Sequence, residues 1–236
     1  MFSPLSYHMG NQPFNDWFAP DTTQRHVLGL ELTAVDPFWG QGTFMYVKST
    51  DAILKGSVVV WDESYNSVLV PNTANQGFPV GVAMAPMASG TYGWVQIAGR
   101  AVYKTNATVA ADTAIGITAA GILGTLAAGK QILGCRNRVA ATGTKTVTAQ
   151  TTTNSAVLTT SGYDGFFLGM ALSGAGVPAS TVVAKLDPDG RTIYMGSAIG
   201  TVDKLATASG SITLTGTYTG FGSGMLNRPV AQGAIT

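Results

Sequence analysis

From Gly77 to Arg138, apolar residues recur at every second position between glycine, proline and asparagine breaks. Val80, Val82 and Met84 alternate until Pro86 and the Ser89-Gly90 pair interrupt them. Tyr92, Trp94, Gln96 and Ala98 then share one face, with Val95 and Ile97 on the other. Gly99-Arg100 predicts a bulge or tight turn, followed by Ala101 to Lys104 and, further on, by Gln131 to Leu133. A period of two belongs to strands, because successive side chains point to opposite faces of a sheet. The stretch therefore predicts short, half-buried antiparallel strands joined by glycine turns. Helices are disfavoured by what the chain lacks. Glutamate occurs only at Glu31 and Glu63, against ten aspartates and seven lysines, whereas exposed helices draw on Glu, Lys, Gln and Arg. The expected class is all-β.

The chain on either side extends this reading. Residues 1–24 hold Pro4, Pro13 and Pro20 and show no period, so they form an N-terminal arm. Its Phe14, Trp17 and Phe18 are costly to leave in water, and the arm either packs on its own domain or docks on a partner. Continuous strands are predicted at His26–Ala34, Thr43–Lys48, Gly56–Asp62 and Ser67–Val70, with Asp36–Gly42 a loop. Asp62 to Asn66 closes the last two strands as a hairpin. From Thr144 to Thr217 the composition turns to Thr, Ser and Gly. Strand-like pieces recur there at 146–149, 155–159, 166–172, 181–186, 192–195 and 210–215, with Asp187-Pro188-Asp189-Gly190 as the clearest turn. Short strands at regular spacing suggest a small Ig-like or similar β-sandwich.

Charge and motifs narrow the function classes. The net charge is +1 with no basic run, so no nucleic-acid footprint is expected. Only 11% of residues are charged, and a surface so poor in charge is badly protected against association. That is a liability for a diffusing enzyme and natural for a protein that sits against neighbours. Met1 to Gly10 carries no Lys or Arg and no apolar run, so no secretory signal is expected. Thr113–Gly129 is too short and too weakly apolar for a membrane span. Cys135 cannot form an internal disulfide, being the single cysteine, and reads as a small buried hydrophobe.

Gly124 to Lys130 spells G-x-x-x-x-G-K, the phosphate-cradling loop, but Gln131 stands where Ser or Thr must hold Mg²⁺. The residues after it alternate like a strand, where that loop needs a helix N-terminus. Asp187–Gly190 lacks the later oxygen ligands of a calcium loop. Asp62-Glu63 are adjacent on a strand and face opposite ways, so they do not form an acid–base pair. His8 and His26 have no ligand-spaced partners. Tyr92 and Trp94 on one face read as core in preference to a sugar-stacking platform. No catalytic site, metal or cofactor is expected.

Four segments carry a family resemblance: Val-Gly-Val-Ala at 80–83, Gly-Trp-Val-Gln-Ile-Ala-Gly-Arg-Ala at 93–101, Val-Ala-Ala-Asp at 109–112, and Ala-Ala-Gly-Lys-Gln-Ile-Leu at 127–133. In this order they resemble the small capsid cement, or head decoration, proteins of tailed bacteriophages. Gly224–Thr236 resembles that family's terminal strand, and Gly169–Val183 is similar, more weakly, to β-modules of phage fibre and head proteins. The resemblance implies a discontinuous cement-like β-barrel or sandwich core at 25–143 plus 218–236. The β-sandwich at 144–217 is then an insertion at the Ala141–Thr144 tip, whose small polar residues suit one. It further implies a homotrimer on the outer capsid surface of the virion, assembled in the host cytoplasm, with the major capsid protein as partner and neither nucleic acid nor membrane. Phe14, Trp17 and Phe18 are the capsid-binding candidates. The alternative is a carbohydrate- or receptor-binding module of a head fibre or tail fibre.

Overall fold

A computed structural model describes residues 3–4, 19–36, 40–106, 109–163, 165–187 and 189–234. The chain divides into two units, Phe2–Ala141 with Gly220–Thr236, and Thr142–Thr219. Every regular element among the described residues is a strand. The larger unit opens with β1 (Ser3–Pro4), β2 (Glu31–Asp36), β3 (Gly40–Ser49), β4 (Val58–Trp61), β5 (Asn66–Leu69) and β6 (Val80–Ala83). It continues with β7 (Tyr92–Lys104), β8 (Ala114–Ala119), β9 (Ile122–Thr125) and β10 (Gln131–Asn137). The second unit holds β11 (Thr142–Thr151), β12 (Val157–Thr160), β13 (Ala171–Ser173), β14 (Thr181–Leu186), β15 (Thr192–Gly196) and β16 (Gly210–Thr219). The chain then returns to the first unit as β17 (Phe221–Ala231).

The 13-residue strand β7 belongs to two hydrogen-bonded circuits. Its first half pairs with β3 on one edge and β6 on the other, and β3–β5, β5–β4 and β4–β6 pairings complete a ring. The β3–β5 pair is parallel, at Lys48↔Asn66 and Ser49↔Ser67. The second half of β7 pairs with β17, which leads through β10 and β8 to β9. A Thr105–Leu123 bridge and the Asn106 N–H to Leu123 carbonyl bond bring β9 back to the end of β7.

Two cores pack these circuits, and the second also takes Val58, Val60, Val80 and Val82 from β4 and β6 of the first. Met45, Val47, Val59, Leu69, Ala83, Val95 and Ile97, drawn from all five strands of the first, pack together. Ala101, Tyr103, Ile115, Ile117, Leu123, Ile132, Leu226 and Ala231 do the same for the second. Trp94 on the opposite face of β7 joins Phe44, Tyr46, Leu32 and Met84 in a third cluster. The first half of β7 is thus buried on both faces, where its alternation predicts burial on one. Gln96 is tolerated there because its amide donates to the Ala98 and Arg100 carbonyls, at 3.1 and 3.0 Å, across the kink at Gly99.

One predicted strand is shorter than its apolar content suggests. His26–Ala34 reads as continuous, yet β2 begins at Glu31. Gly29, at φ +79°, turns the chain, and the Leu30 N–H closes onto the Val27 carbonyl at 3.1 Å. The predicted 62–66 hairpin is present: Asp62 accepts the backbone N–H groups of Ser64 and Asn66, both at 2.9 Å.

The 142–219 unit is all-β as expected, and its form refines the Ig-like expectation. Its strands run in one closed ring, β11-β12-β15-β14-β13-β16, in place of two sheets with free edges. Closure gives every strand of the unit a partner on both sides over part of its length, which limits the edges open to another chain. Inside, Leu158, Phe166, Met170, Val183, Ile193, Met195 and Leu214 are wholly buried. The ladder of β11 with β16 runs from Thr151↔Gly210 to Thr142↔Thr219, so both ends of the unit leave side by side. In the other unit Gly220 N–H donates to the Ala141 carbonyl at 2.8 Å.

A bidentate ion pair ties β2 to β17. Arg228 Nη1 and Nη2 donate to Glu31 Oε1 and Oε2 at 2.9 and 2.6 Å. The guanidinium holds the Glu31 carboxyl below its ordinary range. A carboxyl depressed in the folded state stabilises above its unfolded value and loses that contribution as pH falls through the folded one. Both side chains are substantially exposed, so the pair is worth no more than about 1 kcal/mol. Glu31→Gln is expected to lower the melting temperature slightly at neutral pH. Its deficit against the parent protein shrinks as the solution is acidified through the carboxylate range.

Candidate functional site

The capsid-binding candidates Phe14, Trp17 and Phe18 lie outside the described residues. What is described is the root of the arm. Asp21 and Tyr92 exchange both backbone hydrogen bonds, at 2.8 and 2.9 Å, which pins the root to the start of β7. The Asp21 carboxylate accepts from the Tyr46 hydroxyl at 2.8 Å and pairs with Arg25 Nε at 3.0 Å. Burial, with Asp21 as the partner of its hydroxyl, pushes the Tyr46 phenol well above its ordinary value.

His26 completes this cluster and has no spacing signal in the sequence that marks it. It is buried edge-on against Tyr46, ring centroids 5.0 Å apart, and lies 5.5 Å from Trp94. Its Nε2 is buried without a hydrogen-bond partner among the described residues. Burial lowers its pKa, and Arg25 adds to this while Asp21 opposes it. An imidazolium here would be an uncompensated buried donor, so the folded state holds the neutral ring. A depressed histidine binds its proton later in the folded chain than in the unfolded one. The root is therefore held fully above about pH 6.5 and loosens as pH falls through the lowered value. Amide exchange of residues 19–30 is expected to accelerate on that descent, and His26→Phe to flatten the pH dependence.

The other chemistry-bearing positions are structural. After Lys130 the chain enters strand β10, so no helix N-terminus faces a phosphate, and Lys130 Nζ donates to Asn72 at 3.0 Å. Cys135 packs against the second core, and burial pushes its thiol up to about 11, which leaves it protonated and unreactive at neutral pH. Beside it, the buried Tyr103 hydroxyl donates to Asn137 Oδ1 at 3.1 Å, and burial raises its pKa steeply. Asp189 caps its own turn by accepting from the Arg191 and Thr192 N–H groups, each at 2.8 Å. Trp94 is buried, so it and Tyr92 make no sugar platform. In the 142–219 unit, Tyr194 donates to Asp187 at 2.9 Å, and Lys185 Nζ sits 4.9 Å over its ring. Among the described residues no three His, Cys, Asp or Glu side chains gather to hold a metal ion.

Comparison with known proteins finds no matching family model, no matching curated protein and no matching solved structure.

Proposed function

We propose that this chain is a structural virion protein that binds the outer surface of a phage capsid as a homotrimer and stabilises the shell. What supports the reading is the disposition of the segments that resemble the cement family. Residues 80–83 and 93–101 lie on the neighbouring strands β6 and β7, and residues 131–133 open β10. Residues 224–231 of the terminal segment, far away in sequence, lie on β17 between β7 and β10. The resemblance thus falls on one contiguous part of a single unit, and the intervening 142–219 unit is left out of it.

The mechanism is mechanical. Each copy buries surface against two or more major-capsid subunits, and linked binding by many copies raises the resistance of the shell to internal pressure. Light scattering of the purified chain is expected to report a trimer. Co-sedimentation with heads that lack the protein is expected to show saturable binding and a raised disruption temperature. Failure to bind such heads sinks the proposal.

A further inference from the structure

Strand pairing gathers arginines that the sequence keeps apart. Arg100 on β7 and Arg136 on β10 both stand in register with Met225 on β17. Residues directly paired across a ladder project to the same face, and adjacent strands are about 4.8 Å apart. Met225 is 60% exposed, so this face points outwards, while the alternate residues Ala101, Leu226 and Asn137 are buried. Arg138, also exposed, extends the row: its N–H donates to the Ser223 carbonyl at 2.7 Å, and its guanidinium pairs with Asp112 at 2.5 Å. The Asp112 main-chain carbonyl accepts from the Arg136 guanidinium. Farther along the ladder, Leu133 pairs with Val230, and both face outwards. Pro79, exposed and bridged to Val230, lies beside them.

We propose that this outward face of β7, β17 and β10 is a docking surface for a partner protein that presents aspartate and glutamate side chains around an apolar contact. Arginine and methionine are among the residues enriched in protein interfaces, and guanidinium forks suit carboxylates. The exposed Met225 between two arginines, beside an aliphatic pair, fits a desolvated protein contact better than a phosphate backbone. A nucleic-acid footprint needs a denser run of cations and makes no use of the apolar side chains. The partner's identity rests on the decoration reading: it is a subunit of the major capsid protein, met by this face whatever the N-terminal arm does.

The test uses heads that lack the protein and the full chain carrying Arg100→Gln with Arg136→Gln, or Met225→Ser. Lys185→Gln, which removes one positive charge from the other unit, serves as control. The arginine pair is expected to weaken binding about ten- to a hundredfold and to make it less sensitive to salt, and Met225→Ser to weaken it about tenfold. Lys185→Gln binds like the parent. Oxidative footprinting of the unaltered chain gives a reading independent of any effect on folding: Met225 is modified readily when free and is protected on heads. Variants that bind like the parent, or a Met225 oxidised equally fast on heads, overturn this face while the decoration reading stands. A parent chain that binds no heads overturns both. Arginine substitutions that cost affinity for duplex DNA and none for heads overturn the protein partner.

Discussion

Gly99→Val is expected to unfold the larger unit at moderate temperature. Gly99 sits at φ +93°, a region that β-branched residues scarcely enter, and a Cβ there would fall onto the Gln41 carbonyl oxygen and the Gly42 Cα. Backbone strain of this kind costs about 1–3 kcal/mol, and displacing a packed strand costs about as much again. The position is also where β7 passes from one circuit to the other, so neither ring can relax without the other. Trp61 and Trp94 report on this unit, and their fluorescence should shift to a solvent-exposed spectrum tens of degrees lower than in the parent. Gly40→Ala separates the two causes. Gly40 is also left-handed, at φ +72°, but nothing lies within 4 Å of an added Cβ, so only about 1 kcal/mol of strain is expected. If Gly99→Val melts like the parent, β7 is not the shared strand described above.

Phe166→Ala is expected to have the largest effect on the 142–219 unit. The ring is wholly buried and lies over Gly216, where an added Cβ would come within 2.6 Å of it and 2.9 Å of Met170. Removing a buried phenylalanine ring costs about 3–5 kcal/mol. A unit of this length has a total stability of only about 4–12 kcal/mol. The melting temperature should fall by about 15–30 °C. All four tryptophans, at 17, 39, 61 and 94, lie outside Thr142–Thr219, so the loss should appear in circular dichroism and leave tryptophan fluorescence nearly unchanged. A fluorescence change of the same size as the dichroism change would contradict the division into two units.

Much of the fold is legible because its cause is local. β14 occupies Thr181–Leu186, the bounds that its alternation predicts, and the Asp62 and Asp187–Gly190 turns follow from side chains that bond their own backbone. Misreadings arose where apolar content and strand geometry part company. The apolar run 166–172 predicts a strand, yet β13 starts only at Ala171. Gly169, at φ +89°, and the Phe166 N–H to Tyr163 carbonyl bond fold the preceding residues into a buried turn. Such a turn carries the same hydrophobic residues as a strand, so composition cannot separate them. His26–Ala34 was shortened by Gly29 for the same reason.

What the sequence determined by itself is the class of structure. A period of two, too little glutamate for exposed helices, and glycine at the breaks leave strands as the main way to bury these side chains. What the tertiary structure decided is which strands meet. Nothing local tells that β7 serves two circuits, that six strands of the 142–219 unit close on themselves, or that Arg100, Arg136 and Met225 share one row. Register is set by long-range pairing, where the burial of one face selects among alignments that differ little in local energy. A surface built across three strands therefore exists only once those strands have paired.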